Sequence, residues 1–122
     1  MKPPIIFNDN GDVLIFTSVS SAERYLEPEG IREIREKGEC EVYDSEGRKL
    51  GISIVSKRTS FLFFPINREY LELRAIDTDP RHVTQLRELL TEFLTLVLES
   101  KESLEDCSLD QLIKKALKFS TR

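Results

Sequence analysis

The residues best placed to do chemistry lie in Ile76-Asp77-Thr78-Asp79-Pro80-Arg81-His82, which gathers two aspartates and the chain's single histidine. Two carboxylates and an imidazole at a helix start have the ligand types of a divalent-metal site. A small metal-dependent hydrolase built on Asp77, Asp79 and His82 is therefore one reading. The competing reading makes Asp79 the N-cap of a helix, with carboxylates placed where the helix dipole favours negative charge. A lone histidine also excludes the multi-histidine zinc sites that one chain can build.

Other nucleophiles and ligand sets have less support. Cys40 and Cys107 stand 67 positions apart, so they form no C-x-x-C pair. Acidic residues flank both, Glu39 and Glu41 at one and Glu105 and Asp106 at the other. That is the wrong sign for a reactive thiolate, and two reduced thiols packed as small hydrophobes are expected. No G-x-S-x-G or phosphate-binding loop occurs, and the glycines are scattered through turns. The run Asn8-Asp9-Asn10-Gly11-Asp12 offers several oxygens, but counting from Asn8 puts Gly11 fourth and Val19 twelfth. A calcium loop requires glycine sixth and glutamate twelfth, so this run reads as a turn. The residues thus predict a non-enzymatic protein with no cofactor and no bound metal.

Composition sets the frame. The 122 residues suit one domain spanning the whole chain, 1–122, and 39% apolar with 33% charged residues is the balance of a globular protein. No run approaches the ~20 apolar residues of a membrane span, and the first residues lack the apolar core of a secretory signal. A cytoplasmic location without membrane association is expected. Eighteen basic against 22 acidic residues give a net charge of −4, which counts against nucleic acid as a partner.

The elements follow from periodicity. Residues 4–7 and 13–17 are apolar and β-branched, and Asn10-Gly11 between them is a hairpin signal. Ser20 and Glu23 have capping-box spacing before Ala22, Tyr25 and Leu26, with Pro28 as a stop. Residues 31–37 add one or two further helical turns. Residues 39–76 then alternate as strands, and Phe61-Leu62-Phe63-Phe64 reads as a strand covered on both faces. A helix from Asp79-Pro80 to about Ser100 carries a wide apolar stripe including Val83, Leu86, Leu90, Phe93 and Val97. Ser108 and Gln111 cap the last helix. The fold class is α+β: an antiparallel sheet of about five to six strands, with a short N-terminal helix and two C-terminal helices packed on one face.

Alternation divides the sheet. Cys40, Val42, Leu50, Ile52, Ile54, Leu71 and Leu73 are expected beneath the C-terminal helices. The other face then carries Glu39, Glu41, Tyr43, Ser53, Val55, Tyr70, Glu72 and Arg74. Tyrosine and arginine are favoured interface anchors, and acids suit a basic partner, so Glu41, Tyr43, Tyr70, Glu72 and Arg74 are the candidate partner-binding residues. A strand at 61–64 lying on a sheet edge would instead pair two copies into a homodimer.

Three pieces carry a resemblance: the Asn8-Asp9-Asn10-Gly11-Asp12 hairpin, the helix entry from Phe16 to Glu27, and the turn from Tyr43 to Leu50. In these the chain resembles small bacterial single-domain immunity proteins, which neutralise toxins. The resemblance implies a cytoplasmic inhibitor that binds a toxin domain without doing chemistry. It carries no site residues with it.

Overall fold

A reversal at Gly11 sets the first element pair. In the computed structural model, which describes residues 1–9, 11–26, 40–98 and 104–120, β1 (Ile5–Asp9) and β2 (Asp12–Phe16) form an antiparallel hairpin. Gly11 takes φ +91°, and its N–H donates to the Asn8 side chain at 2.8 Å. α1 (Val19–Tyr25) follows at once. Its capping box uses Ser18 and Ser21 rather than the expected Ser20 and Glu23. Glu23 is engaged elsewhere, since its carboxylate accepts the Leu73 backbone N–H at 2.9 Å.

β3 (Cys40–Tyr43), β4 (Lys49–Phe61) and β5 (Phe64–Ala75) complete a five-stranded antiparallel sheet in the order β2-β1-β3-β4-β5. Two C-terminal helices then pack on one face, α2 (Val83–Val97) and α3 (Leu109–Ser120). The α+β class and the antiparallel sheet stand as expected. The one or two further turns expected at 31–37 lie outside the described residues.

The assignment of faces is corrected. Ile5, Ile6 and Phe7 are consecutive and all buried, so the sheet is covered on both sides at β1. Val42, Leu50, Ile52, Leu71 and Leu73 join Ile5, Phe7 and Phe16 around Ala22 and Leu26, beneath α1. The C-terminal helices cover the opposite face, where Ile6, Val13, Ile15 and Tyr43 meet Leu86, Leu90, Phe93 and Leu94 of α2 and Leu112, Ile113 and Ala116 of α3. The short α1 touches both edge strands, β2 and β5, so the sheet curls around it. Contact with Glu23 also blunts the β5 edge at Leu73. Cys40 packs with the α1 cluster and Cys107 with the other, so the sheet separates the two thiols.

The start of α2 is corrected as well. Its N-cap is His82, without a side-chain cap bond, and Asp79 stays exposed outside the helix. The His82 N–H donates to the Gly47 carbonyl at 2.9 Å, and that contact fixes where the helix begins. The Ser108 and Gln111 cap is reciprocal, with bonds of 2.8 and 3.2 Å. The turn that receives α2 is organised by Asp44. This fully buried carboxylate accepts from the backbone of Lys2, Glu46 and Arg48 and pairs with the Arg48 guanidinium at 3.2 Å. So many partners offset the cost of its desolvation.

Gly47 is the pivot of that turn. It takes φ +92°, and a Cβ there would lie 2.8–2.9 Å from Val83 atoms. Gly11 has similar torsions with nothing within 4 Å. Gly11→Ala should therefore cost only the strain of a left-handed alanine, about 1–2 kcal/mol. Gly47→Ala adds overpacking against α2 and should cost about 2–4 kcal/mol. Urea unfolding of both variants checks the difference, and equal losses would remove the docking role given to Gly47.

Candidate docking surface

Strand length creates the surface. β3 pairs with β4 only at Val42–Leu50 and Tyr43–Lys49, whereas the β4–β5 ladder continues to Phe61–Phe64. Among the described residues, neither hydrophobic cluster reaches past Ile54 and Leu71 along it. From the Ser56–Glu69 pair outward, the ladder has six residue pairs. At the usual rise per residue that is about 20 Å of two-stranded ribbon. Among the described residues it has no third strand. We call this part of β4–β5 the arm.

At the root of the arm the sheet face is partly covered. Tyr70, Glu72 and Arg74 sit on the side of β5 opposite Val55, Ser53 and Gly51 of β4. Tyr70 is 44% exposed. Arg74 is exposed and Glu72 half-buried, and the two form an ion pair at 3.7 Å. Tyr70 also borders a groove toward α1, with Ser20, Glu23 and Arg24 on its far wall. These three of the five sequence-predicted residues stand together and open.

Tyr43 does not, and its place on a docking surface is withdrawn. Only 2% of it is exposed, because α2 and α3 close over that end of the same face. Its hydroxyl donates to Glu41 at 2.6 Å. Burial, reinforced by the Glu41 carboxylate, pushes the phenol well above its ordinary range and keeps it neutral. Glu41 is thereby the acceptor for a core tyrosine, half-buried itself.

The three residues of the alternative metal-site reading, Asp77, Asp79 and His82, do not come together as a set. His82 Nδ1 lies 2.6 Å from Asp77 Oδ2, and the Lys49 N–H donates to the same oxygen at 2.9 Å. Asp79 is not part of this group. Among the described residues, no three His, Cys, Asp or Glu side chains are clustered to hold a metal. Asp77 instead clasps the start of β4 to the start of α2.

The tip was missed by sequence reasoning. Phe61–Phe64 is not a covered strand: Leu62 and Phe63 form a two-residue turn with φ +50° and +71°. Such turns need positive φ at both positions and usually use Asn-Gly. Bulky side chains there carry backbone strain, of a kind that gathers at functional sites. Leu62 and Phe64 are largely exposed and Phe63 fully so. The signal in the sequence was an unbroken apolar run ahead of Pro65, with no polar turn residue to mark the reversal.

No family model, curated protein or solved structure matches this chain. Among the described residues, no helix is long and apolar enough to cross a membrane.

The clasp makes a pH prediction. The Lys49 N–H first, and His82 next, hold the Asp77 carboxyl below its ordinary 3.8 against the opposing effect of desolvation. A carboxyl lowered in the native state adds stability above its unfolded value and loses it as pH falls through the native one. Wild type should therefore lose more stability than Asp77→Asn between about pH 5 and pH 2. Urea midpoints across that range check this; parallel profiles would show that Asp77 does not contribute.

Proposed function

We propose that this chain is a non-enzymatic protein-binding domain that docks through the root of its arm. The observation that carries the reading is the half-covered sheet face. α2 and α3 close over Tyr43 but leave Tyr70, Glu72 and Arg74 of that face open on β5. A half-exposed phenol beside a paired acid and base has the composition of an interface centre, and the groove toward α1 extends it. Asp77 and Asp44, the acids most strongly engaged in the fold, serve as structural clasps, which leaves the chemistry of a hydrolase without supporting geometry.

The partner we infer is a toxin domain, which the chain occludes as a cytoplasmic immunity-type inhibitor. Two features support this finer reading: the resemblance in the first hairpin, the helix entry and the 43–50 turn, and a net charge of −4 that speeds encounter with a basic target.

The test uses a tagged full-length chain to recover its partner from native cells. Tyr70→Ala and Glu72→Lys should each weaken capture at least about tenfold, as hot-spot substitutions do. Both should unfold within a few degrees of wild type, since neither side chain is in the core. Co-expression of the recovered partner should then arrest growth, and the wild-type chain should relieve that arrest. Undiminished capture by both variants would contradict the assignment of this face. A partner without toxicity would remove the inhibitor reading alone.

A further inference from the structure

The root of the arm leaves its far end unexplained. The last residue pairs, from Thr59–Ile66 to Phe61–Phe64, enclose the Leu62-Phe63 turn. This end exposes Leu62, Phe63 and Phe64 together with Pro65. The cationic positions come directly behind it. Arg58 is exposed, one step back in the ladder, and Lys57 and Arg68 occupy the pair after that. Residues 57–68 hold these three cations and no acid in a chain of net charge −4, so the remainder of the molecule carries −7. With Glu69 at its base the arm as a whole carries +2, and it is the basic, apolar end of an acidic protein.

We propose that the tip of the arm is a peripheral docking site for an anionic lipid bilayer. Depth is the first argument. Three residue pairs of antiparallel ribbon span about 10 Å. Apolar faces of interfacial elements immerse by about 5–10 Å. With the tip immersed to that depth, Arg58 and the Lys57–Arg68 pair stand at the level of the lipid phosphates. Charge is the second argument. Cations beside an anionic surface are attracted within a Debye length, while the acidic body is held off it. Only the projecting ribbon can then make contact.

A second copy of this chain fits less well. Aromatic side chains bury about 150–250 Å² each, so three tip residues fall short of the roughly 800 Å² per partner of a stable interface. The tip also carries like charge behind it, which two facing copies would bring together. The proposal is independent of the protein-docking reading, because the residues at stake do not overlap.

The chain contains no tryptophan, so Phe63→Trp places a single fluorescent reporter at the tip of the intact protein. Titration with phosphatidylcholine vesicles containing about one-third phosphatidylglycerol should shift its emission to the blue and raise its intensity. Pure phosphatidylcholine vesicles should bind at least about tenfold more weakly, as should the anionic ones in high salt. Cosedimentation then compares two further variants. Leu62→Asn with Phe63→Gly supplies the residues the turn prefers, so it folds while removing the apolar tip, and it should stay in the supernatant. Lys57→Glu with Arg58→Glu keeps the tip and should lose the preference for anionic vesicles. The proposal is overturned if emission does not move, if neutral and anionic vesicles bind alike, or if the Asn-Gly variant still sediments. It is also overturned if the tip captures a protein and ignores vesicles of either composition.

Discussion

A sheet that is apolar on both faces must be covered on both, and that requirement organises this molecule. Ile5, Ile6 and Phe7 are adjacent in sequence and therefore point to alternate sides, yet all are buried. Among the described residues, one side is closed by a helix of seven residues and the other by the α2–α3 pair. α1 reaches both edge strands, β2 and β5, so the sheet curls around it. Among the described residues, the tip of the β4–β5 ladder and the face at its root stay outside the core.

The polar groups near this core serve the same end. Asp44 ties the 44–48 turn together, Gly47 lets α2 approach it, and Asp77 joins β4 to the His82 start of α2. Each is a link between the sheet and the helix that caps it. The Tyr43–Glu41 bond belongs to this set, since it provides a partner for a phenol that would otherwise be buried without one. Asp77 and His82, two of the three residues that looked like candidates for chemistry, thus serve packing.

How much of this was legible in the sequence depended on the range of the interaction. The hairpin turn at Gly11 and the Ser108–Gln111 cap are contacts between residues three or fewer positions apart, and they stand as read. Alternation correctly told which residues share a face of β3, β4 and β5. It could not tell which helix covers that face, because period two is blind to what lies across the core. Tyr43 was placed in solvent for that reason. Asp79 had every local mark of a cap, but a tertiary bond from His82 to Gly47 set the helix start later. The Leu62-Phe63 turn was illegible for a different reason. Its residues contradict turn chemistry, and only two long strands held in register force the reversal there.

The central claim is that the arm is an appendage, held by the fold and contributing little to it. Joining Ser56 to Glu69, which face each other in the ladder, through an Asn-Gly turn removes the whole outer ribbon. Thermal unfolding of this shortened chain tests the claim most directly. The account predicts a cooperative transition within a few degrees of the full chain. A transition lowered by tens of degrees, or none at all, would show that the arm belongs to the core and would contradict it.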